Sequence, residues 1–474
     1  MNRVATLSSS AYFACCLLFF TFSLLLISCK KDSLITSGDA RIAINVDSLK
    51  YDTVFTSVGS VTQSFKINNL NNQRLRLTEV RLMGGTTSSF TININGASTT
   101  ELQDVEIAAE DSIYLFVTVS INPNAANLPF VVRDSIRIEY NGNTRFIQLE
   151  AYGQNANFLR NKIIAGNITW TDNLPYVIMG SLLVDTNAIL TIDPGCRIYS
   201  HADAPIIIDG SLVVTGTKPN PVIFSGDRLD EEYRNLPASW PGIYFRGSSK
   251  NNHLTFTTVK NAYQALVAEQ PSGNSNPKLL LQHCVIDNAY DAGILCVNSS
   301  LRAENCLVSN CGKNIYLMYG GQYDVINCTV ASYSVFGTRK SPVLTVTNSI
   351  ALNGANITAN LSASFRNCIF WGGDESIEDE VMVQKEGNTV FNVNFDHCLY
   401  KVKTDPANSS LNNVIKNEDP LFDSIDVSKR IFDFHISRSE GPGINQGIST
   451  GLNKDLDGNP RPVVADDIGC YEQQ

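Results

Sequence analysis

The chain has 474 residues, 43% of them hydrophobic and 17% charged, with a formal net charge of −10. That length predicts two domains with ample apolar material for their cores. The acidic balance and the lack of any basic cluster exclude a nucleic-acid partner and argue against a polyanionic ligand. Arg3 is the only charge before Lys30, and the apolar run 14–27 is too short to span a bilayer comfortably.

That run ends in Leu26-Ile27-Ser28-Cys29, which resembles a bacterial lipoprotein signal. The resemblance implies a signal peptide over 1–28, cleavage before Cys29 and a diacylglycerol on the Cys29 sulfur. Lys30, rather than Asp, follows the lipidated residue and resembles the pattern of outer-membrane sorting. The expectation is therefore an outer-membrane lipoprotein whose anchor makes the membrane a partner, on the periplasmic or the cell-surface face. Residues 29–39 are polar and read as the lipidated tether.

Residues 40–154 alternate polar and apolar side chains in short runs at 64–67, 75–77, 90–94, 113–117, 135–138 and 146–149, parted by Asn- and Gly-rich turns. Six or seven such strands suit a β-sandwich. The layout resembles immunoglobulin-like modules of cilia-associated and bacterial surface proteins. The Cys-Trp-Cys triad of antibody domains is missing. A spacer role is expected.

Beyond 156 the chain repeats itself. The motifs at 283–286, 305–308, 327–330, 348–350, 367–370 and 397–400 pair Asn or His with Cys or Ser before an apolar pair, at steps of 22, 22, 21, 19 and 30 residues. A step near 20 residues with one β motif each is the mark of a solenoid, whose coils bury their apolar sides only on one another. The recurring Cys is read as a small inward side chain that stacks on itself. The recurring Asn is read as a left-handed turn residue that bonds to the Asn of the next coil. A second repeat precedes each Cys motif, at 242–245, 265–268, 293–296, 314–317, 334–337 and 355–357. Short strands such as 279–282, 323–326 and 343–346 lie between the two. Three strands per coil and no helix predict a parallel β-helix.

Upstream, Gly180-Ser181-Leu182-Leu183-Val184 recurs as Gly210-Ser211-Leu212-Val213-Val214. Together with Asp193-Pro194-Gly195 and Trp240-Pro241-Gly242-Ile243, this run resembles the opening coils of right-handed parallel β-helix proteins of the pectate-lyase-like group. The resemblance covers 156–474. It extends to the end of the chain, where Asp455-Leu456-Asp457-Gly458-Asn459-Pro460-Arg461 and Asp467-Ile468-Gly469-Cys470-Tyr471-Glu472 resemble the C-terminal cap of such proteins, from about 415 to 474. The fold class expected is thus all-β: a right-handed parallel β-helix preceded by an immunoglobulin-like β-sandwich.

Nine cysteines follow Cys29, and their spacing tracks the coil rather than a metal or disulfide pattern; Cys296 with Cys311 is the pair to examine for a bridge. Family members with enzyme activity work on polysaccharides in a groove along one sheet. Taking Ile243, Leu266, Ile294, Ile315, Val335 and Ile357 as inward, the outward rows are Tyr244, Val267, Leu295, Tyr316, Phe336 and Thr358, then Arg246, Glu269, Val297, Met318, Thr338 and Asn360. Glycosidic hydrolysis needs two carboxylates, and lyase chemistry needs a base with a cation. This face offers one Glu and one Arg, so no catalytic residue is assigned. It offers instead an aromatic strip, and Tyr244, Arg246, Glu269, Tyr316 and Tyr319 are the candidate ligand-binding residues. Loops at 227–239, 270–277 and 372–388 are long enough to complete a groove. The acidic ones would suit calcium, but none has a clear motif, and no cofactor or metal is assigned. The reading is an envelope lipoprotein that displays its β-helix to bind a glycan or another surface partner. A polysaccharide lyase or glycoside hydrolase, and a purely structural or adhesive protein, are the alternatives.

Overall fold

The computed structural model describes residues 33–56, 59–122, 130–231, 233–333, 339–373, 376–436 and 440–473. The expected signal peptide and Cys29, and Val335, Phe336 and Thr338 of the outward and inward rows, lie outside them. The chain divides into two compact units, one ending at Gln154 and one beginning at Asn155. No α-helix occurs among the described residues.

The first unit is a sandwich of two five-stranded sheets. One contains Gln63–Asn69, Ser112–Val119 and Phe90–Ile94; the other contains Ser48–Phe55, Asn143–Gln154, Phe130–Tyr140 and Leu75–Leu82. Pairing is antiparallel except between Ser48–Phe55 and Asn143–Gln154, which run parallel. Alternate residues such as Phe65, Ile67, Leu115, Val117, Ile136 and Ile138 are buried, as the period-two pattern requires. Tyr51 is buried among them, and its hydroxyl donates to the Val117 carbonyl at 2.6 Å.

The second unit is a parallel β-helix in which 26 strands stack coil upon coil. Each coil contributes to three faces. The first face stacks Ile206–Ile208, Ile243–Phe245, Gln264–Glu269, the start of Ala292–Glu304, the start of Lys313–Ile326, Leu344–Thr347 and Val381–Gln384. The second stacks Asn252–Thr255, Leu279–Gln282, the ends of the two long strands, Leu361–Arg366, Phe391–Asp396 and Ser410–Asn412. The third stacks Thr257–Lys260, Val285–Asp287, Leu307–Ser309, Thr329–Ser332, Ile369–Gly372, Leu399–Tyr400 and Ile415–Lys416.

The corner between the second and third faces explains the repeat. His283, Asn305, Asn327, Asn367 and His397 all have φ between 49° and 55°, the left-handed region that Asn tolerates best. Asn367 Nδ2 lies 3.5 Å from Asn327 Oδ1, and Asn305 Nδ2 lies 3.3 Å from His283 Nε2. The following Cys284, Cys306, Cys328, Cys368 and Cys398 are buried and free, as are Cys196, Cys296, Cys311 and Cys470. Each column thiol donates to the carbonyl two residues back, at 3.2–3.5 Å. The Cys296–Cys311 bridge considered from the sequence is not formed.

One supposed coil is not a coil. Thr329 stacks directly on Ile369, so Cys328 is followed in the column by Cys368 and the segment at 348–350 is skipped. Ser349–Leu352 instead pairs antiparallel with Ala355–Thr358 as a projecting hairpin. Its two-residue turn is Asn353-Gly354, with φ of 50° and 80°, a favoured hairpin sequence. The outward rows are corrected accordingly. Leu344–Thr347 belongs to the first face, not between the repeats, so Thr345 and Met382 succeed Tyr316, and Thr358 sits on the hairpin.

The C-terminal segment differs from a lid over the last coil. It runs along the third face, where Phe422, Phe434, Ile436, Leu456, Ile468 and Cys470 pack on Leu307, Ala331, Ile369 and Leu399. Arg461, buried, donates to Glu472 Oε2 at 2.7 Å, to Asn305 Oδ1 at 3.0 Å and to the Gly469 carbonyl at 2.9 Å. The Cys470 amide donates to Thr329 Oγ1 at 3.0 Å. Lys218 and Asp457 form an ion pair between an early coil and this segment. Asp455 Oδ1 accepts from the Asn459 amide at 2.7 Å, which makes 455–459 a closed turn.

Candidate functional site

The second face presents its polar side outward. Leu281, Ala303, Val325, Phe365 and Phe395 point into the core, so the residues two apart that flank them point out. One outward row is Ser300, Gln322, Ser362 and Asn392; the next is Arg302, Asp324, Ser364 and Asn394. Successive members sit ~4.8 Å apart, the spacing of hydrogen-bonded strands. Small hydroxyls and amides at that pitch form a corrugated floor of donors and acceptors.

Ser300, Arg302, Gln322, Asp324 and Ser362 of these rows form the floor of an open groove of about 790 Å³. One wall is the loop 271–277 with Asn298 and Ser299; the other includes Asn360, Leu361 and Val390. The loop is ordered by its own amides. Asn274 and Asn276 both donate to Asn251 Oδ1, at 2.9 and 3.0 Å, and Ser299 Oγ donates to the Gln270 carbonyl at 2.9 Å. Beneath it Lys278 is fully buried, and its ammonium donates to the carbonyls of Arg246, Gly247 and Glu269 at 2.9, 2.9 and 2.7 Å. Its amide donates to Ser300 Oγ at 2.8 Å, which ties wall to floor.

Arg302, Glu304, Asp324 and Arg366 pair within and across coils. Arg302 donates to Glu304 Oε1 at 2.5 Å and to Asp324 Oδ2 at 3.0 Å. Arg366 donates to Asp324 Oδ1 at 3.0 Å. Gln282 donates to Glu304 Oε2 at 2.7 Å, and His253 Nε2 lies 2.7 Å from Gln282 Oε1. Two carboxylates and two guanidinium groups thus neutralise one another. Hydrolysis of a glycosidic bond requires a protonated carboxyl beside a free carboxylate. Asp324 receives two guanidinium groups, and Glu304 is held by Arg302 and Gln282, so both carboxylates are engaged in charge-assisted or amide hydrogen bonds.

The residues singled out from the sequence lie on or beside the first face. Tyr244 and Tyr316 fall in one outward column, separated by Val267 and Leu295. Three coils at ~4.8 Å put them ~14 Å apart, too far to stack on one sugar ring. The Tyr244 hydroxyl donates to the Pro241 carbonyl at 3.1 Å, and Lys313 Nζ lies 5.9 Å from the Tyr316 ring centroid. Arg246 donates to Asp209 Oδ1 at 2.7 Å. The carbonyls of Arg246 and Glu269 accept from Lys278 behind the groove wall, and neither residue lines the groove. Tyr319 is half-buried, with φ of 58°, at the bend into the second face. Of the ladder, Arg302 and Asp324 line the groove, with Glu304 and Arg366 paired beside them; the outward rows drawn from the sequence lay on the first face and included none of the four. The alternation Leu301-Arg302-Ala303-Glu304 carried the signal.

The histidines pair individually. His201 Nδ1 lies 2.7 Å from Asp227, and His397 Nδ1 lies 2.8 Å from Asp396. His435 sits between Asp433 at 2.5 Å and Asp457 at 3.1 Å. Among the described residues no group of three or more His, Cys, Asp or Glu is placed to hold a metal ion.

Residues 162–277 match the pectate-lyase-like β-helix domain. No curated protein matches the chain. Among solved structures, a family 123 glycoside hydrolase from Clostridium perfringens is 8% identical over 28% of this chain and 30% of its own, with a TM-score of 0.20. The chain therefore spans under a third of that enzyme's length. The ASH/PapD-like domain of human CEP192 is 8% identical over 27% of this chain and 92% of its own, at a TM-score of 0.17. The catalytic unit of a GH87 α-1,3-glucanase from Streptomyces thermodiastaticus is 10% identical over 75% of this chain and 88% of its own, at a TM-score of 0.24.

Proposed function

We propose that this is a lipid-anchored protein of the bacterial outer membrane whose β-helix holds an uncharged glycan along the groove of the second face without cleaving it. The observation that carries the reading is the groove itself: an open channel floored by Ser300, Gln322 and Ser362, with its charges mutually cancelled. Hydroxyls and amides at coil spacing suit a chain of sugar hydroxyls, each of which both donates and accepts. An uncharged ligand fits a floor without net charge, and the openness of the channel suits the interior of a polymer as well as its end. The sandwich serves as the spacer and Cys29 as the anchor.

The test is a glycan array probed with the full chain and with Ser362→Trp, which fills the groove from an exposed floor position. Binding to neutral glycans that persists from low to high salt, and that Ser362→Trp removes, supports the reading. Equal binding by the variant to every neutral glycan retained, or preference for uronic-acid polymers, overturns it.

A further inference from the structure

Away from the groove, where the third face turns into the first, two tyrosines of successive coils lie side by side. The Tyr263 amide donates to the Trp240 carbonyl at 2.7 Å and the Tyr290 amide to the Ala262 carbonyl at 2.9 Å, so the two occupy equivalent turn positions. Their ring centroids are 5.7 Å apart with planes 24° from parallel. Both rings are open to solvent, at 45% and 59% exposure.

The next coil leaves the stack uncovered. Its equivalent residue is Gly312, whose amide donates to the Ala289 carbonyl at 3.0 Å. A Cβ there would stand 2.3 Å from the Tyr290 carbonyl oxygen and 2.9 Å from that of Asp291. Backbone crowding thus excludes any side chain that would continue the column, and the aromatic stack stops at Tyr290.

Polar groups from three coils rim the rings. The Asp291 carboxylate accepts from Gln264 Nε2 at 2.7 Å and from Lys313 Nζ at 2.6 Å. One acid and one amine balance, so the rim has hydrogen-bonding capacity but no net charge. Two rings offer far less than the ~800 Å² per partner of a stable protein interface. They match instead the flat C–H face of one or two sugar rings, which aromatic faces cover well.

We propose that Tyr263 and Tyr290, rimmed by Gln264, Asp291 and Lys313, form a second saccharide site for pyranoses with equatorial hydroxyls, such as β-linked glucosyl units. Equatorial hydroxyls leave the faces of the ring apolar and direct the polar groups to its edge, where the rim lies. This inference is independent of the groove, because it rests on different residues of a different corner.

The test is calorimetric titration of the full chain with a β-1,4-linked glucose tetrasaccharide. Tyr290→Ala is expected to weaken binding about tenfold, and Tyr290→Phe to stay within about twofold, because the ring rather than its hydroxyl makes the contact. Ser362→Trp, which blocks the groove, is expected to leave this titration unchanged. Tyr290 is exposed, so its variants are expected to keep the wild-type circular dichroism. No binding by the wild type overturns the inference. So does binding that survives Tyr290→Ala but fails in Ser362→Trp, which would assign the ligand to the groove alone, and so does a Tyr290→Phe variant as weak as Tyr290→Ala.

Discussion

Lys278→Met separates the corner that holds the groove wall from the rest of the solenoid. The wild-type ammonium donates to three carbonyl oxygens, those of Arg246, Gly247 and Glu269. Methionine keeps the aliphatic stem and removes all three donors. The Arg246 carbonyl keeps the Ser249 amide, and each of the two carbonyls left unpaired, of Gly247 and Glu269, costs ~2 kcal/mol. Relief from burying an ammonium offsets part of that. The net is about 2–3 kcal/mol, confined to the turn because the strands stack on other bonds. At 1.36 kcal/mol per decade, local opening should become roughly a hundredfold more frequent. Native-state hydrogen exchange reads this directly. The amides of Gln270, bonded to Val297, and of Ser249, bonded to Arg246, should exchange faster by that factor. The Ile369 amide, bonded to Cys328 within the cysteine column, should not change. Unaltered exchange at Gln270 and Ser249 would refute the role given to Lys278, and equal acceleration at all three sites would refute its local character.

Arg461→Met leaves the buried Glu472 carboxylate without its partner and should destabilise the C-terminal segment by about 3–5 kcal/mol, read as faster proteolysis within 440–473 while the coils persist. Hydrogen bonds to Asp433 and Asp457 overcome the opposing effect of burial and raise the His435 imidazole above its ordinary 6.5. The stabilisation this supplies is complete below 6.5 and is lost as pH rises through the raised value, so the segment should loosen on the alkaline side. His435→Gln should flatten that dependence, and a wild-type segment that tightens with rising pH would contradict the assignment. Burial pushes the thiols of Cys296 and Cys470 up to about 12. All nine cysteines beyond Cys29 are buried and should resist alkylation in the native protein and react together in denaturant, as peptide mapping would show. Cys29→Ser should move the protein from the membrane fraction to the soluble one, and retention in the membrane would remove the anchor from the account.

The coil was legible because its most demanding position is chemically narrow. A left-handed turn followed by an inward side chain with little room admits Asn or His and then Cys, and Asn305-Cys306, Asn327-Cys328 and Asn367-Cys368 repeat that pair. The same narrowness misled at Asn348-Ser349-Ile350. A small polar residue after Asn imitates the corner, yet Asn353-Gly354 nearby is a hairpin turn, and a local turn closes before a stacking contact with a distant coil can compete. Period-two alternation identified strands but not which of three faces each one joins. That choice depends on where the neighbouring coil places its corner, so the ladder from Gln282 through Arg302 to Arg366 emerged only in three dimensions. The C-terminal motif was recognisable as a unit, but its docking along Leu307, Ala331 and Ile369 pairs residues more than a hundred positions apart. Tyr263 and Tyr290 each close an Asn-Ala-Tyr triplet, at 261–263 and 288–290, but that the two rings stack in the open emerges only from the coil register.

Binding without cleavage is the claim on which the functional account turns. Its most direct measurement starts from a neutral polysaccharide that the full chain and its Tyr290→Ala variant both retain in affinity electrophoresis. The protein and that polymer are then incubated together, and reducing ends and polymer length are followed over a prolonged time course. The account predicts retention that Ser362→Trp abolishes, with no new reducing ends and no shortening of the polymer. Release of reducing ends that scales with protein concentration and disappears in Asp324→Asn would contradict it, and would make the paired carboxylates of the second face a hydrolytic site.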